Sequence, residues 1–302
     1  KLFKYLESNE ILFLGISFMT GPQINYSIRL LKKINKRFQF KIIAGGVHPT
    51  LFSEETLNTG LIDIVVRNEG EETVLELARE MKKENNLNQV KGISYIYKDA
   101  VIHNPEREFI KDLDKINLNW NLLDINKYVF VDENGEKGII FFTSRGCPFN
   151  CAFCYNLTYN KRIWRAWSFE KSILEIEKIL KLTNVKKIVF HDDNFSVNKK
   201  RLMAFCKYME EKKLEWYCDF RVDSADHKII KTMSDSYCRK VFIGAESGSN
   251  EVLEKIHKKI TVKTLQNSIE CFKDSRINVE MSWIIGFPDE RKEDIMATLE
   301  LV

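Results

Sequence analysis

The chain has 302 residues, of which 44% are apolar and 30% are charged, so it can bury one large core or two ordinary ones. Lysine and arginine exceed aspartate and glutamate by only 47 to 43, and the scattered basic residues indicate solvated helix faces and no nucleic-acid partner. The apolar runs at 11–19 and 138–142 are far shorter than the roughly 20 residues of a membrane span, and no signal-peptide pattern opens the chain. These features predict one or two soluble domains in the cytoplasm.

Strand-like and helix-like segments alternate over the first hundred residues, which predicts parallel α/β units. The predicted strands are 10–18, 40–46 and 63–70, and the predicted helices are 22–35 and 71–83. Residues 90–108 then contain two β runs around Lys98 and Asp99, which predicts a hairpin. The first domain is predicted to comprise residues 1–100. Because only three strands of a parallel sheet are present, we expect the sequence to lack the N-terminal part of this domain.

A second alternating series follows a stretch of little periodicity. Residues 101–135 carry proline, asparagine, aspartate and isolated aromatic residues, and they are predicted to form an ordered linker. The second domain, residues 136–302, has predicted strands 138–143, 186–193, 215–223, 239–247 and 277–287, and helices 169–183, 199–213, 226–234, 262–275 and one from Glu290. A closed barrel needs more strands than these five βα units. We therefore predict a partial (β/α)6 TIM-like barrel whose C-terminal part is missing.

Polar side chains alternate with apolar ones toward the ends of several strands in the second series. Tyr217 and Asp219 alternate with apolar neighbours, as do His191, Glu280 and Ser282 in their own strands. The interior of a packed barrel normally holds branched apolar residues. We therefore predict a lumen that holds a polar molecule. The alternative is that these residues point outward, which would place two tryptophans inside together.

Three cysteines lie close together in residues 144–156, where the first strand of the second series meets its loop. Cys147, Cys151 and Cys154 have the spacing Cys-x3-Cys-x2-Cys, and the odd total of seven cysteines argues against a disulfide framework. A structural zinc site would add a fourth Cys or His, usually in a second close pair, but the other cysteines stand alone in helix or strand patterns. Three thiolates without a fourth protein ligand indicate an iron–sulfur cluster with one open iron. Arg145 is a candidate for stabilising its negative charge.

The cysteine loop resembles the signature of the radical S-adenosylmethionine (SAM) superfamily, with Phe153 before the last cysteine and Tyr155 after it. The resemblance covers residues 138–302. It implies that the three cysteines hold a catalytic [4Fe–4S] cluster whose fourth iron is chelated by the amino and carboxylate groups of SAM. It also implies that the reduced cluster cleaves SAM to a 5′-deoxyadenosyl radical, which abstracts hydrogen from a substrate.

Further positions of the second domain match the superfamily's SAM-binding motifs. They are Asp192 and Asp193 after the second strand, Arg221 after the third, Glu246 after the fourth, and Ile284 and Gly286 after the fifth. The aspartates stand at the motif for the SAM amino group, and the arginine is a candidate for the SAM carboxylate. The glutamate would reach the ribose or the amino group, and the last two residues would flank adenine with their backbone. The resemblance thus implies that these residues, with Tyr155, surround SAM.

The first domain resembles the cobalamin-binding domain that precedes the barrel in a large radical SAM subgroup. The resemblance rests on residues 15–20, 45–50 and 65–73, and on a Trp-x-x-Leu-Asp motif at 120–124. It implies a Rossmann-like, flavodoxin-like fold in which Gly45 and Gly46 let the backbone approach cobalamin, with His48 as a further cofactor-binding candidate. The family's cobalt-ligand motif, Asp-x-His-x-x-Gly, does not occur in the 302 residues. Either a missing N-terminal part carries the ligand, or cobalamin is bound without one, or it is not bound.

Together the resemblances imply a cobalamin-dependent type of radical SAM enzyme, which methylates or rearranges an unactivated carbon. Where it methylates, methylcobalamin would be the methyl donor. The implied partners are a small-molecule or peptide substrate and an electron donor of the flavodoxin or ferredoxin type. Two alternatives remain open. One is a radical SAM enzyme without cobalamin, whose first domain is a platform for a substrate or partner, and the other is a non-catalytic or zinc-binding protein whose barrel is structural.

Overall fold

A computed structural model describes residues 1–83 and 86–302 of the protein. Within them the chain divides into two units, Lys1–Lys111 and Asp112–Val302. The first unit has a five-stranded sheet, and the second has a six-stranded sheet and a two-stranded one. Strands alternate with helices in both units, which confirms the predicted α/β class. No helix of these two ranges combines the length and hydropathy needed to cross a bilayer.

The first unit is a mixed sheet with helices between its strands. Its strands are β1 (Phe13–Ser17), β2 (Lys41–Gly45), β3 (Ile64–Val66), β4 (Ile93–Tyr97) and β5 (Ala100–His103), and its helices are α1 (Leu2–Ser8), α2 (Pro22–Asn35), α3 (Val47–Leu51), α4 (Ser53–Asn58) and α5 (Glu71–Lys82). Strands β1, β2 and β3 are parallel, and β4 and β5 pair antiparallel at one edge. Lys98 and Asp99 join β4 to β5 with φ of 49° and 63°, as a two-residue hairpin turn of the I′ type requires.

Helices cover both faces of the first sheet, and the alternation of side chains along β2 shows why. Ile42 and Ala44 pack with Leu31 of α2 on one face. Ile43 points to the other face and packs with Leu77 of α5. A strand that is buried on both faces reads as a continuous apolar run, which is the pattern of a parallel strand between two helix layers.

The second unit repeats the strand–helix alternation on a larger sheet. Its strands are β6 (Val129–Val131), β7 (Lys137–Phe141), β8 (Ser144–Arg145), β9 (Arg165–Ala166), β10 (Lys187–Phe190), β11 (Glu215–Asp219), β12 (Cys238–Glu246) and β13 (Asn278–Trp283), and its helices are α6 (Phe169–Leu182), α7 (Lys199–Lys212), α8 (His227–Asp235), α9 (Asn250–Lys255), α10 (Val262–Glu270) and α11 (Lys292–Leu301). The strand order is β13-β12-β11-β10-β7-β6. All neighbours are parallel except β6, which pairs antiparallel with β7.

The two faces of this second sheet carry different side chains. Phe190 of β10 lies 5.2 Å from the ring of Phe205 in α7 and 6.1 Å from Trp216 of β11, and these buried rings belong to the core on the helix side. Because side chains alternate along a strand, Tyr217 and Asp219 of β11 lie on the opposite face. We call this opposite face the inner face.

The predicted linker, residues 101–135, is divided between the two units. Its first residues belong to β5, and its last residues include β6, which pairs with β7. The indole N–H of Trp120 donates to Glu175 of α6 at 2.8 Å, and the Asp114 carboxylate accepts from the amide of Ser168 at 2.8 Å. These contacts build residues 112–135 into the second unit, although their sequence has no strand or helix period.

Candidate cofactor site in the second unit

The clustered cysteines lie in a loop that leaves β7 and returns to α6. Strands β8 and β9 pair antiparallel and join the two ends of this loop. The amide of Ala152 donates to the carbonyl of Ile256 at 2.8 Å, and that of Cys154 donates to the carbonyl of Cys151 at 3.0 Å. Cys151 is buried, whereas Cys147 and Cys154 are partly exposed. The loop is a folded element at the carboxyl end of β7.

Gly146 lies at a position of the cysteine loop that has no room for a side chain. Its φ is +81°, and a Cβ at this residue would lie 2.2 Å from the carbonyl oxygen of Ile163. Its amide N–H donates to Oδ2 of Asp193 at 2.9 Å. The loop therefore requires glycine here, because neither the backbone conformation nor the space admits a side chain.

Asp192 joins the ends of two neighbouring strands. Its carboxylate accepts from the amide and the hydroxyl of Thr143, at 2.6 and 2.5 Å, and from the amide of Ser144 at 2.9 Å. The side chain is fully buried. Burial raises the pKa of Asp192, and these hydrogen bonds act against that rise. Asp192, whose carboxylate was a predicted partner of the SAM amino group, is thus buried and hydrogen-bonded to the residues that follow β7.

Asp193 holds the cysteine loop itself. Its two carboxylate oxygens accept from the amide of Gly146 and from the hydroxyl of Tyr155, the second at 2.5 Å. Burial and the charge of Asp193 raise the pKa of Tyr155, so the phenol keeps its proton and donates it. Both residues were predicted to bind SAM, and the structure places both beside the three cysteines.

Burial opposes the ionisation of two of the three thiols, and Arg221 is a cationic neighbour of the third. Burial raises the pKa of Cys147 and of Cys154, although backbone hydrogen bonds act in the opposite direction at both. Such thiols ionise when a metal binds, because the metal replaces the proton. Nη1 of Arg221 lies 4.0 Å from Sγ of Cys151. A guanidinium at this position favours an anionic set of ligands.

Arg221 is fixed on all sides other than the one that meets the cysteine. Its Nε and Nη2 donate to the two oxygens of Asp223, each at 2.9 Å, and Nη2 also donates to the carbonyl of Lys258 at 2.9 Å. Its guanidinium carbon lies 3.6 Å from the ring centroid of Phe149. The side chain is buried. Nη1 is therefore the edge of the guanidinium that remains for a ligand.

Glu246 forms a buried ion pair with Lys258, a residue that the sequence analysis did not identify. Nζ of Lys258 lies 2.7 Å from Oε1 of Glu246, and the two residues are 7% and 5% exposed. Gly244 makes room for the pair, since a Cβ there would lie 2.2 Å from that carboxylate oxygen and 3.0 Å from Nζ. Nζ also lies 5.9 Å from the ring centroid of Phe153. The pair thus borders the cysteine loop.

A weak signal for Lys258 exists in the sequence. Ile256, Lys258 and Ile260 are all buried, and the two residues between them are exposed. A lysine at an apolar position of such an alternation indicates a cation with a buried partner. The partner itself could not be inferred, because Glu246 lies 12 residues earlier, in another element.

The segment after β13 contacts both Glu246 and the cysteine loop. The amide of Ile284 donates to the carbonyl of Glu246 at 2.9 Å. Gly286 has a φ of +98° and open space where a Cβ would lie, so conformation requires this glycine. Its amide donates to Glu290 at 2.5 Å. The ring of Phe287 lies 5.8 Å from that of Phe153, which connects the segment to the cysteine loop.

The predicted residues of the first unit lie together at the end of β2. Gly46 has a φ of +93°, and a Cβ there would lie 2.7 Å from the hydroxyl of Ser17 and 2.9 Å from the carbonyl of Phe18. Gly45 accepts from the amide of Phe18 at 3.2 Å. The glycine pair therefore permits close packing of the chain on itself.

His48 is partly exposed and contacts side chains of its own unit. Its Nδ1 lies 3.0 Å from the hydroxyl of Thr20, and its ring lies 5.7 Å from that of Phe18 and 5.0 Å from that of Phe52. Burial lowers the pKa of His48, and the charge of Glu55 acts against this. Burial thus favours the neutral imidazole, which lies beside two phenyl rings.

No three His, Cys, Asp or Glu side chains within residues 1–83 and 86–302 converge on a position for a single metal ion. In an iron–sulfur cluster each cysteine binds a different iron. The three sulfurs of such a site are therefore not required to meet at one ion. The donor set of the loop, soft thiolates without a hard oxygen ligand, suits iron–sulfur ligation.

Comparison with protein families identifies the second unit. The profile of the radical SAM superfamily matches residues 141–302, which is more than half of the 302 residues. The chain belongs to the radical SAM superfamily. The profile of the B12 binding domain matches residues 1–78. Both matches confirm the predicted combination of a B12-binding-type domain and a radical SAM unit.

This radical SAM chain also resembles a curated protein and two solved structures. It is 35% identical over 293 residues to the uncharacterized methyltransferase PH0819 of Pyrococcus horikoshii, covering 95% of the chain and 62% of that protein. The methyltransferase TsrM of Kitasatospora setae superposes with a TM-score of 0.82 at 13% identity, over 99% of this chain and 61% of that one. The cobalamin-dependent enzyme OxsB superposes with a TM-score of 0.80 at 22% identity, over 99% of this chain and 44% of that one. At these identities the two structures confirm the fold.

Proposed function

We propose that the protein is a radical SAM enzyme in which Cys147, Cys151 and Cys154 bind a [4Fe–4S] cluster. The observation that carries the proposal is a set of three thiols on one folded loop, with Nη1 of Arg221 4.0 Å from a cysteine sulfur. The other four cysteines lie outside this loop, so one iron is left for SAM. When bound, the cluster supplies the electron that cleaves SAM to methionine and a 5′-deoxyadenosyl radical.

The charged groups around the loop suit the polar parts of SAM. Arg221 and Lys258 are buried cations for a carboxylate, and Glu246 is the buried anion for an amino group or a ribose. The backbone of Ile284 and Gly286 lies beside them and is proposed to flank adenine. Asp192, Asp193 and Tyr155 are proposed as positioning residues, since their hydrogen bonds hold the strand end and the cysteine loop.

The reaction that we propose is a cobalamin-dependent methylation or rearrangement of an unactivated carbon. The B12 binding profile over residues 1–78 supports cobalamin, and so does OxsB, whose structure contains cobalamin and SAM. The name of PH0819, a methyltransferase, supports methylation. Gly45, Gly46 and His48 are the proposed contacts to cobalamin in the first unit. The chain spans 62% of the length of PH0819.

The proposed partners follow from the same chemistry. Radical SAM enzymes act on small-molecule substrates and need a reductant, and we propose a small-molecule or peptide substrate here. The proposed electron donor is of the flavodoxin or ferredoxin type, in a reducing compartment such as the cytoplasm. We propose no nucleic-acid partner, because lysine and arginine exceed the acidic residues by only 47 to 43 and are scattered along the chain.

Anaerobic reconstitution tests the cluster. The parent protein is expected to bind about four irons per chain and to form 5′-deoxyadenosine from SAM with dithionite. Each of Cys147→Ala, Cys151→Ala and Cys154→Ala is expected to lose most of the iron and all of the product. Cys271→Ala is the matched control, because this cysteine lies in another part of the unit and its Sγ donates to the carbonyl of Asn267 at 3.6 Å. Equal iron in a loop variant and in the control would refute the proposal.

Cobalamin binding is tested separately by the visible spectrum of protein that has been reconstituted with hydroxocobalamin and desalted. A retained corrinoid spectrum is expected, with a cobalamin-to-protein ratio near one. A ratio near zero, with iron binding intact, would favour a radical SAM enzyme without cobalamin. The contact between Nδ1 of His48 and the hydroxyl of Thr20, at 3.0 Å, is the observation that supports this second candidate, because it occupies one ring nitrogen.

A further inference from the structure

A row of side chains crosses the inner face of the second sheet at the carboxyl ends of its strands. In the strand register Asp219 pairs with Phe242, and Phe242 pairs with Glu280. His191 follows β10 directly and contacts both Asp219 and Phe142. Phe142 and Phe242 are 55% and 40% exposed. Two exposed phenyl rings thus stand on either side of a polar pair.

The polar pair has a defined geometry. Nδ1 of His191 lies 2.9 Å from Oδ2 of Asp219, and the imidazole side chain is 58% exposed. The ring of Phe142 meets the imidazole edge-on, with centroids 5.7 Å apart. Within the described part of the chain, Nε2 of His191 has no hydrogen-bond partner. Asp219 therefore occupies Nδ1 and leaves Nε2 for a ligand.

The charges near His191 favour its protonated form. The hydrogen bond and the charge of Asp219 raise the pKa of His191, the charges of Asp193 and Asp192 add to this, and burial acts against it. Those two carboxylates already accept hydrogen bonds from the cysteine loop and from the end of β7. Glu280 pairs with Lys240. When His191 is protonated, the N–H at Nε2 is a charged donor that can bind a ligand.

We infer that His191, oriented by Asp219 and flanked by Phe142 and Phe242, is a substrate-binding residue that donates from Nε2 to an acceptor group of a ring-containing apolar substrate. The phenyl rings would contact the apolar body, and the imidazolium would bind an oxygen such as that of a carboxylate or carbonyl. This inference rests on the proposed function, because it assigns the substrate class to the inner face beside the proposed cofactor site. His191 binds and positions, and no proton transfer is required of it.

Two probes of equal ring size test this recognition. Anaerobic equilibrium dialysis of the reconstituted protein measures binding of 2-naphthoate, which has an acceptor group, and of 2-naphthylmethylamine, which is a cation at neutral pH. We expect saturable binding of naphthoate that is about tenfold weaker in His191→Gln, the loss typical of a charged hydrogen bond. The naphthoate dissociation constant should rise as pH rises through the His191 titration. Asp219→Asn should move that rise to lower pH. A purely structural role would not give this pH dependence.

The matched control is His227→Gln, an exposed histidine at the start of α8, which should bind naphthoate as the parent does. The inference is overturned if His191→Gln binds naphthoate like the parent, if the amine binds as tightly as naphthoate, or if the parent shows no saturable binding. Iron content is measured on the same samples. Iron near zero in the parent refutes the proposed function and the inference with it, whereas normal iron without His191-dependent binding refutes the inference alone.

Discussion

The loops after β2 and after β7 both follow a parallel strand and both contain a glycine with positive φ, but they are held in different ways. Gly46 packs on the backbone and side chain of Phe18 and Ser17 in its own unit. Gly146 also packs closely, on Ile163, but its amide is bound by a carboxylate from the next strand. Backbone packing closes the first loop, and a neighbouring carboxylate anchors the second.

The difference shows what a glycine at a strand end does and does not indicate. In both loops glycine allows a backbone conformation that other residues rarely adopt, and it lets neighbouring atoms lie where a side chain would otherwise be. The chemistry of each loop depends on what the neighbouring strands supply. After β7 they supply Asp193 and Arg221, beside three thiols. After β2 the neighbours are Phe18, Thr20 and Phe52 around His48.

The largest effect is expected from Gly146→Ala. A Cβ would lie 2.2 Å from a backbone oxygen, and the residue has a φ of +81°, so the loop must move. We expect iron after reconstitution to fall close to zero, although far-UV circular dichroism keeps its parent shape because the sheet is not involved. Iron near the parent level would mean that the loop tolerates a different backbone, and that its anchoring is not required for the cysteines.

Gly46→Ala should lower the stability of the first unit and leave the iron content unchanged. A Cβ would lie 2.7 and 2.9 Å from atoms of Ser17 and Phe18, and positive φ adds strain, so we expect a loss of about 2–4 kcal/mol in the stability of the first unit. Iron should stay at the parent level. Hydrogen exchange measured separately on peptides of residues 1–83 and of 112–302 distinguishes the units. Loss of iron in this variant would contradict the contrast between the two loops.

A smaller effect is expected from Asp193→Asn. The asparagine side chain can accept one of the two hydrogen bonds from Gly146 and Tyr155, and it lacks the charge that strengthens them. The hydrogen bonds that hold the loop should therefore lose about 1–3 kcal/mol of stabilising free energy. We expect normal initial iron but faster loss of iron to a chelator under anaerobic conditions. Asp219→Asn is the control, since Asp219 contacts His191 and not the loop. Equal rates in the two variants would show that Asp193 does not anchor the loop.

The features that could be predicted from the sequence are those with a local period. The continuous apolar run of β2 and the helical period of α2 predicted the parallel α/β arrangement, and the cysteine spacing located the loop. The contacts that could not be predicted join residues that are far apart in sequence. Trp120 reaches Glu175, 55 positions away, so residues that lacked any period became part of the second unit.

The roles of the two adjacent aspartates were also beyond the sequence. Alternation assigns Asp192 and Asp193 to opposite sides of the chain, but it does not reveal the partner on each side. The structure shows Thr143 and Ser144 on one side and the cysteine loop on the other. Likewise, Glu246 was identified from its motif, whereas Lys258 was found only through the distance of 2.7 Å between their charged atoms.

His48 and His191 test the comparison through its smallest expected effect. Their titrations should change the stability of the two units in opposite directions. Burial lowers the pKa of His48 below its unfolded value of about 6.5, so its contribution to stability is present above that pH and is lost as pH falls through the folded pKa. The Asp219 hydrogen bond raises the pKa of His191, so its contribution is present below about pH 6.5 and is lost as pH rises through the raised pKa.

Between pH 5 and 8 the first unit should therefore gain stability and the second should lose it, each by less than about 1 kcal/mol because both side chains are partly exposed. Hydrogen exchange of the two peptide sets, corrected for the intrinsic pH dependence of exchange, measures both trends in one sample. His48→Gln should flatten the trend of the first unit alone, and His191→Gln that of the second alone. If the stability of both units changed in the same direction with pH, the ring of His48 would not be desolvated, and the two strand ends would not differ electrostatically as their contacts indicate.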